Sequence, residues 1–233
     1  MKSMKRITLL LILLGISLQS HAQFRSEPPR NLPRFDDVFW HWGYYFGLTF
    51  FDYKIDYTTP ENEIRVETSP GFNVGLISDF RLGRQWNLRL EPGVFMSERT
   101  LYFLNISDPY DARRKIRSNY ISLPVFLKYS ALRNGNMRPY ITAGIGWNYN
   151  LTSYQYSVND NSAGRFRVKK YSYMWQVGIG LEMYMYYFKF TPAIRGVFAL
   201  TDELVPDQDP NSPWTGHLSG LRTRGIYLVL TFE

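Results

Sequence analysis

Histidine, serine and aspartate are the residue types in this chain that could perform hydrolytic or acyl-transfer chemistry. His217 is preceded by Asp209 and followed by Ser219, which together supply the members of a nucleophile, base and acid set. His41 lies far from them in the sequence, and His21 belongs to an apolar N-terminal segment. No G-x-S-x-G, H-E-x-x-H or phosphate-binding loop pattern occurs, so the sequence predicts a protein that is not an enzyme.

Cofactor and metal sites are equally poorly supported. The chain contains no cysteine, which excludes disulfides, thiol catalysis and cysteine metal ligands. The closely spaced glycine pairs, as in AGIGW, are not followed by a helical pattern, so they do not predict a dinucleotide-binding loop. We expect no cofactor.

The charge balance argues against nucleic acid as a partner. The formal net charge is +7, from 27 basic and 20 acidic residues. Three basic residues lie in the first six positions, and without them the net charge is only +4. No nucleic-acid-binding motif accompanies this mild excess, so we expect no nucleic-acid partner.

Side chains alternate along much of the chain between apolar and small or polar. In YITAGIGWNYNLT, residues 140–152, one face is small and polar, and the other carries Ile141, Ala143, Ile145, Trp147 and Tyr149. Alternation of this kind predicts strands. It recurs in eight segments, at about 42–57, 71–80, 86–99, 120–129, 140–152, 171–184, 188–200 and 224–232. The first segment shifts phase near Phe50 and Phe51, which predicts a β-bulge.

Segment length and loop length indicate a transmembrane barrel. Many segments reach about ten residues, as tilted membrane strands must, whereas strands of globular proteins average about 5–6 residues. Short and long connections alternate strictly, the long ones at 58–70, 105–119, 155–170 and 201–223. This alternation is typical of outer-membrane barrels. The predicted fold is all-β, an eight-stranded antiparallel transmembrane β-barrel with short periplasmic turns and four long outer loops.

In such a barrel the apolar face contacts lipid and the polar face fills the lumen. Aromatic residues near both strand ends predict two belts at the membrane interfaces. One belt comprises Trp42, Tyr44, Trp86 and Tyr129 at the periplasmic rim, and the other comprises Trp147, Tyr149, Tyr171, Tyr173 and Trp175. A soluble β-sandwich with an aromatic core is the alternative, but the polar opposite faces would leave such a core little to pack on.

Six charged residues fall on the lumenal face near the short turns: Asp79, Arg89, Glu91, Lys128, Glu182 and Lys189. Buried charges are tolerated only in pairs, so we predict that these acids and bases form a salt-bridged plug. Glycines on the same face would leave room for large side chains from other walls of the barrel, such as Phe126 and Tyr140. A charge-lined pore is the alternative, but eight strands leave no water-filled channel.

The N-terminal region predicts export. Basic residues at positions 2, 5 and 6 precede the apolar run 7–18, and a small-x-Ala exit ends at Ala22, the pattern of a secretory signal peptide. An uncleaved anchor is the alternative. We predict a signal peptide at 1–22, a periplasmic Pro-rich extension without helix at 23–41, and the barrel at 42–233, with both barrel termini periplasmic. In this arrangement the membrane separates His41 from His217, so they cannot share a metal ion.

Charge is distributed unevenly among the long loops. The last loop is acidic, with Asp202, Glu203, Asp207 and Asp209, whereas two others are basic, with Arg113, Arg114, Lys115, Arg117, Arg165, Arg167, Lys169 and Lys170. Two explanations remain open: the loops pair with each other at the rim, or a basic collar contacts lipid phosphates or a partner. Outer-membrane lipid and lipopolysaccharide are the partners that the barrel itself predicts.

One segment resembles a known family. NLPRFDDVFWHWGYYFGLTFFDYKI, residues 31–55, is similar to the start of PorT-family proteins, in which an Asn-Leu-Pro-basic-aromatic-Asp stretch precedes an H-x-G-x-x-x-G-x strand. RLEPGVFMSERTLYF, YISLPVFLKY and YITAGIGWNYN also resemble the outer-membrane barrel domain that this family shares with its relatives. The resemblance implies a non-enzymatic component of the type IX secretion system, which exports proteins with a C-terminal sorting domain and supports gliding in some bacteria.

Eight strands cannot pass a folded cargo, so the role implied is assembly, scaffold or maturation rather than conduction. The candidate contact for other secretion-system proteins is formed by Asn31, Leu32, Pro33, Trp40 and Trp42. Two alternatives remain: a generic small barrel for adhesion or envelope integrity, and a lipid-modifying enzyme at the outer rim that uses His217.

Overall fold

The computed structural model of the protein describes residues 29–58 and 64–233. The chain divides into two units, residues 1–30 and Asn31–Glu233. The predicted signal peptide and residues 23–28 of the predicted extension lie outside the described residues. No helix in the described ranges is long and apolar enough to cross a membrane.

The described residues form ten strand segments and two short 3-10 helices, at Phe35–Asp37 and Asn161–Ala163. The strands are β1 Trp40–Tyr57, β2 Ile64–Thr68, β3 Gly71–Arg81, β4 Trp86–Leu90, β5 Gly93–Phe103, β6 Arg113–Ser130, β7 Met137–Asn150, β8 Tyr171–Tyr184, β9 Lys189–Ala199 and β10 Leu218–Phe232. Every pairing is antiparallel, and the ring closes because β1 pairs with β10 on one side and with β3 on the other.

Two of the barrel strands are interrupted. β5 pairs with β2 at one end and with β3 at the other, so β2 and β3 are parts of one barrel strand broken at Ser69 and Pro70. β6 pairs with both β4 and β5, which are likewise parts of one strand broken at Glu91 and Pro92. Proline has no backbone N–H and cannot donate to a ladder. The ten described segments therefore make eight barrel strands, which confirms the predicted eight-stranded antiparallel barrel.

Several strands extend further than the alternation predicts. β6 begins at Arg113 and β10 at Leu218, inside regions predicted as loops, and β2 lies inside the predicted loop 58–70. β1 begins at Trp40, two residues before the predicted barrel boundary, and the 3-10 helix at Phe35–Asp37 falls in an extension predicted to lack helix. On β2 and β6 the outward side chains of the extra strand residues are charged, so the apolar pattern ends before the strand does.

The predicted bulge near Phe50 and Phe51 is wrong. The pairing of β1 with β10 continues through Phe50↔Ile226 and Phe51↔Gly225, and it shifts only between Asp56 and Tyr57. Phe50 faces outward with 38% of its surface exposed, whereas Phe51 is 1% exposed in the lumen. A Cβ at Gly225 would lie 2.5 Å from the ring of Phe51, so glycine provides the space for this second aromatic residue.

Exposure alternates along the strands as a lipid-facing wall requires. On β6, Ser122, Phe126 and Lys128 are buried, whereas the outward side chains are exposed at Ile121, Leu123, Val125 and Leu127. The outward apolar residues of all strands form a band around the barrel, here called the lipid band. We call the two ends of the barrel the short-turn end and the long-loop end.

Large side chains fill the lumen at mid-height. The buried cluster there includes Phe51, Phe95, Tyr120, Tyr140, Met174 and Tyr227. Glycines face several of these rings: a Cβ at Gly180 would lie 2.5 Å from Tyr140, and one at Gly144 would lie 2.5 Å from Phe126. The prediction that lumenal glycines accommodate large side chains from neighbouring walls is therefore confirmed.

Candidate functional site: the two closed ends of the lumen

An ion-pair layer closes the lumen toward the short-turn end. It contains the six residues predicted from the sequence and two more, all at most 4% exposed as side chains: Asp79, Arg89, Glu91, Lys128, Glu182, Lys189, Arg195 and Glu233. Six of the eight lie on strands, and Glu91 and Glu233 directly follow the ends of β4 and β10, so all eight positions follow from the barrel register. Four carboxylates face four cations, so the ion-pair layer has no net charge.

Lys128 is the central cation of one half of the layer. Its Nζ lies 2.5 Å from Asp79 and 3.0 Å from Glu182. Lys189 also contacts Glu182, at 3.3 Å, and Arg89 lies 3.6 Å from Asp79. Asp79 therefore has two cations, and Glu182 has three because Arg138 lies 3.9 Å from it. Removing Lys128 takes one cation away from both acids.

Glu91 and Glu233 organise the other half. Arg195 holds Glu91 through both guanidinium nitrogens, with Nη2 at 2.7 Å from Oε1, and Arg89 lies 3.3 Å from the same carboxylate. Glu233 forms ion pairs with Arg89 and with Lys189. Because these buried charges pair with each other across the lumen, the side chains fill this end of the barrel instead of lining a channel.

Arg195 and Glu233 are absent from the sequence prediction, although period-two alternation is a signal that could find both. Arg195 lies on the same face of β9 as Lys189 and Thr191, and Glu233 follows the inward Thr231 by two residues. The prediction omits Arg195 because it groups only the charges near the expected short turns, and it omits Glu233 because the last predicted segment ends at residue 232.

A folded segment, Asn31–Asp37, covers the short-turn end of the lumen, and we call it the N-terminal cap. Asp36 is its main attachment: its carboxylate accepts the hydroxyl of Tyr184 at 2.6 Å and lies 3.3 Å from Arg138 and 3.5 Å from Arg133. Asn31 adds a bond to the carbonyl of Tyr184 at 3.0 Å. The cap is thus held by strand ends and turns of β6, β7 and β8.

The cap spans the barrel mouth. Asn31 is bound beside β7 and β8, whereas the chain enters the ring at β1, which is separated from β8 by β10 and β9. Between these points, Phe35 lies under the lumen, stacked on His41 at 4.0 Å between ring centroids, with Lys189 at 4.7 Å from its ring. The aromatic ring and the Asp36 carboxylate therefore close the end of the lumen below the ion-pair layer.

The predicted partner-contact residues do not form one cluster. Asn31 and Leu32 lie beside the β6–β7 turn, where Arg133 binds their carbonyls, and Pro33 is exposed. Trp40 and Trp42 lie across the mouth on the outward face of β1. Trp40 donates its indole N–H to Ser78 at 2.7 Å and stacks on the ring of Phe80, so it contributes to the barrel wall.

The long-loop end is closed by a second apolar cluster. Loop residues Phe166, Val168 and Leu204 pack there on strand residues that continue above the lipid band: Tyr53, Ile64, Leu101, Phe103, Ile116, Leu218 and Leu221. A bridge between Val168 and Leu204 ties two loops together. The described parts of the long loops therefore form a folded cover over the lumen.

Beneath this cover, the loop between β9 and β10 places the buried acid Glu203 near the buried base Arg99. Arg99, with no exposed surface, donates to Thr223 Oγ1 at 2.9 Å, and its guanidinium lies 3.8 Å from the ring centroid of Tyr53. The same Thr223 hydroxyl donates to Glu203 at 2.9 Å, and Tyr120 also reaches this carboxylate. Arg99 and Glu203 are therefore linked through a hydroxyl group, without a direct ion pair. Burial raises the pKa of the Glu203 carboxyl, and Arg99 opposes that shift.

The basic residues predicted in outer loops fall into three environments. Arg113, Arg114, Lys115 and Arg117 belong to β6, so their assignment to a loop is wrong; the strand continues above the lipid band. Two side chains point inward and are buried: Arg114 binds the carbonyl of Asn161, and Arg167 binds that of Pro206. In the loops, Lys169 forms an ion pair with Asp202 at 3.3 Å. The two remaining cations lie over tyrosine rings, Arg165 over Tyr154 and Lys170 over Tyr149.

The aromatic residues predicted as belts lie on the outward face in two groups. At the short-turn end, Trp42 and Tyr44 are 68% and 53% exposed, and Trp86 packs on Tyr129 at 4.8 Å between centroids. Toward the long-loop end lie Trp147, Tyr149, Tyr171, Tyr173 and Trp175, with centroids of the first three 5.3–6.3 Å apart. Such groups suit the two interfaces of a bilayer.

His217 lies in the cover at the long-loop end. Its ring stacks on Tyr57 at 6.3 Å, and its backbone carbonyl accepts the N–H of Thr58. Its buried Nε2 has no hydrogen-bond partner in the described part of the chain, and burial lowers its pKa. Within the same ranges, no group of three His, Asp or Glu side chains is placed to hold a metal ion.

Comparison with solved structures finds similarity to several chains, among which are the following three bacterial proteins. Neisserial surface protein A (NspA) has a TM-score of 0.44 at 10% identity, covering 82% of this chain and 95% of that protein. Ail of Yersinia pestis, solved with the heparin analogue sucrose octasulfate, has a TM-score of 0.39 at 13% identity, covering 84% and 99%. The N-terminal β-barrel domain of Pseudomonas aeruginosa OprF has a TM-score of 0.35 at 16% identity, covering 82% and 96%.

Sequence comparison identifies the family. Among curated protein sequences, none is significantly similar to this chain. The family model of the outer membrane protein beta-barrel domain matches residues 21–205, well over half of the chain. The chain therefore belongs to the outer membrane protein beta-barrel domain family.

Proposed function

We propose that this barrel is a non-enzymatic, non-conducting accessory component of type IX protein secretion, with an assembly, scaffold or maturation role. The N-terminal cap is the observation that carries the proposal. The stretch that resembles PorT-family proteins, residues 31–55, comprises the cap and most of β1. Its polar and aromatic positions make specific contacts across the barrel mouth, so the resemblance corresponds to a defined structural element.

The filled lumen supports an accessory role over a conduit role. The ion-pair layer and the N-terminal cap close one end, and the loop cover closes the other. Opening a path would require breaking several buried ion pairs together, and each broken pair costs several kcal/mol. A secreted protein therefore passes elsewhere, and this barrel acts through a surface.

The short-turn end is the surface that we expect to face the periplasm and other secretion proteins. With the cap in place, it presents Pro33, Arg34 and Asp37, which are exposed. Because the cap is held by Arg133, Arg138 and Tyr184 through Asp36, a single substitution can detach it without altering the lipid band.

Replacement of the gene in its own bacterium tests the proposal. Deletion should trap cargo with a C-terminal sorting domain in the periplasm, and Asp36→Ala should reduce surface cargo while the barrel still reaches the membrane. Asp56→Ala is the matched control, because this acid pairs with Lys54 on the outward face at the opposite end. Normal surface cargo in the deletion strain would exclude a role in secretion.

A second candidate is a structural or adhesive barrel of the envelope. The folded cover at the long-loop end favours it, because a folded outer surface suits contact with other surfaces. This role predicts normal cargo secretion in the deletion strain together with altered adhesion or detergent sensitivity. The same strain therefore separates the two candidates.

A further inference from the structure

Above the lipid band, β5 and β6 continue the barrel wall beside β2, and the charges on their outward face are distributed unevenly. Three cations, Arg113, Lys115 and Arg117, alternate along the outward face of β6, and all three are exposed. Residues paired directly across an antiparallel ladder lie on the same face. The partners on β5 are Tyr102 opposite Arg113, Thr100 opposite Lys115, and Glu98 opposite Arg117.

One carboxylate serves two of these cations. Glu98 lies 2.6 Å from Lys115 and 2.9 Å from Arg117, whereas Arg113 forms no ion pair within the described ranges. On the neighbouring β2, Arg65 and Glu67 offset each other. The outward face of β5 and β6 therefore has a net charge of +2, and we call Arg113, Lys115 and Arg117 the cationic row.

Other cations at this height are better matched. On the far side of β1, Arg224 is held by Asp52 through two nitrogens at 2.8 and 3.0 Å, and Lys54 lies 3.7 Å from Asp56. Arg222 is the one further cation there among the residues that the structure describes. The cationic row is thus a local feature of β6 and not a general property of the long-loop end.

An apolar groove lies directly below the cationic row. It has a volume of about 360 Å³, with Leu48, Phe72 and Met96 in its lower part and Glu98, Arg117 and Asn119 at its upper margin. The groove forms at the strand break, because the pairing of β1 with β3 ends at Thr49↔Gly71 and Pro70 separates β3 from β2. It therefore connects the lipid band with the charged wall.

This combination selects an occupant with an apolar chain and an extended anionic head. Leu48, Phe72 and Met96 belong to the lipid band, so the part of an occupant that contacts them is an acyl chain. The part of the occupant above them faces the cationic row and must therefore be anionic. Alternate residues of a strand lie about 6.8 Å apart, so the row extends about 14 Å from Arg117 to Arg113. The single phosphate of a phospholipid head group can contact only the cation nearest the membrane. A head group with several anionic groups can contact all three cations.

We infer that the cationic row and the groove beneath it bind a phosphorylated glycolipid of the surrounding leaflet, such as lipopolysaccharide. One acyl chain lies in the groove against Phe72 and Met96. The phosphate groups of the saccharide head contact Arg117 and Lys115 first and Arg113 farther from the membrane. This inference is independent of the proposed secretion role.

Lipid retention by the full chain tests the inference. The barrel is reconstituted in phosphatidylcholine nanodiscs that contain either phosphorylated lipid A or its phosphate-free form, and bound lipid A is counted by native mass spectrometry. We expect the wild type to retain the phosphorylated form at least about tenfold better, a difference of about 1.4 kcal/mol. Arg113→Gln/Lys115→Gln/Arg117→Gln should lose this preference, whereas the matched control Lys54→Gln/Arg222→Gln/Arg224→Gln should keep it.

Three results would overturn the inference: equal retention of both lipid A forms by the wild type, an unchanged preference in the cationic-row variant, or equal losses in the row and control variants. Competition by millimolar inorganic phosphate, with no effect of acyl chains, would show an anion site without a lipid and would also overturn it. If the triple variant fails to fold, the single variants Arg113→Gln and Arg117→Gln replace it, and each should lower the preference.

Discussion

The two halves of the lumen solve the same problem, buried charge, in different ways. Toward the short-turn end, four acids and four bases contact each other directly, and nearly all of them lie on strands. Toward the long-loop end, Arg99 reaches its acid only through the Thr223 hydroxyl, and that acid, Glu203, comes from a loop. The first arrangement is fixed by the barrel register, whereas the second depends on the loop remaining folded inward.

We therefore expect the ion-pair layer to be rigid and the loop that carries Glu203 to be mobile. A strand residue cannot leave the lumen unless the barrel unfolds, so an unpaired charge in the ion-pair layer remains buried. Glu203 can leave when its loop opens, which relieves the cost of an unpaired carboxylate. The two halves should therefore respond differently to equivalent substitutions.

The largest effect is expected in the ion-pair layer. Lys128→Met removes the cation shared by Asp79 and Glu182 and leaves a buried excess of negative charge. We expect a loss of about 3–5 kcal/mol in the free energy of unfolding, measured by urea titration of the barrel in lipid vesicles.

A second substitution tests whether charge balance is the cause. Lys128→Met combined with Asp79→Asn removes one charge of each sign and should be less destabilised than Lys128→Met alone. A loss below about 1 kcal/mol for Lys128→Met would show that water enters the layer and that it is not a buried network.

Arg99→Met should have an intermediate effect. It removes bonds to Thr223 and Ser118 and the contact with the Tyr53 ring, but the unpaired Glu203 can move into water with its loop. We expect a loss of about 1–3 kcal/mol in the same urea titration.

The control for this substitution is Arg222→Met. Arg222 is exposed on the outward face of β10, at a height similar to that of Arg99. Its replacement should change the free energy of unfolding by less than about 0.5 kcal/mol. An Arg99→Met loss equal to that of Lys128→Met would contradict the proposed mobility of the acid.

The contrast also explains which features could be predicted from the sequence. Period-two alternation identifies the lumenal face of each strand, so the sequence alone predicts Asp79, Lys128 and Glu182 as neighbours. The same rule covers Arg195 and Glu233, so their omission does not come from a lack of signal. Strand-borne features of a barrel are predictable because register and side-chain direction are regular.

Loop-borne features are not predictable in this way. In the sequence Glu203 is one of four loop acids, and nothing in its neighbours indicates that its carboxylate turns inward toward Arg99. Arg167 has the pattern of an outer-loop cation although it is buried against Pro206, and the inward Arg114 of β6 has its partner, the Asn161 carbonyl, in a folded loop. Asp36 falls in a segment predicted to be extended, and its three partners lie about 100 or more residues away in the chain.

Asp36 is the counterpart of Glu203 at the other end, since both acids are delivered by segments outside the strands. Asp36→Ala should detach the N-terminal cap with only about 1 kcal/mol lost in global unfolding, because its pairs with Arg133 and Arg138 are partly exposed. Detachment is measured as faster thiol labelling of a cysteine introduced at Leu32, which is half-buried while the cap is attached. Unchanged labelling would show that Asn31 and Phe35 hold the cap without the carboxylate.

The smallest effect is expected from the titration of Glu203. Because burial raises the pKa of this carboxyl above its usual value of 4.5, the folded loop binds its proton more tightly than the open loop does. The stabilisation from the neutral acid is therefore complete below about pH 4.5 and is lost as the pH rises through the folded pKa. Hydrogen exchange at the amide of Glu203, which donates to Leu221 at 2.7 Å, should report a falling free energy of loop opening over that range after correction for intrinsic exchange.

Two other titratable groups in the same loop, Asp202 and His217, could also make loop opening depend on pH. The pKa of Asp202 is lowered by hydrogen bonds from the backbone of Leu221 and Leu204 despite its partial burial, so its contribution is lost at lower pH and has the opposite sign. His217 also titrates, but it makes no contact with the Arg99 site. Glu203→Gln should therefore abolish the pH dependence, whereas His217→Ala should retain it. If Glu203→Gln kept the dependence, the acid held through Thr223 would not control the loop, and the two ends of the lumen would be equally rigid.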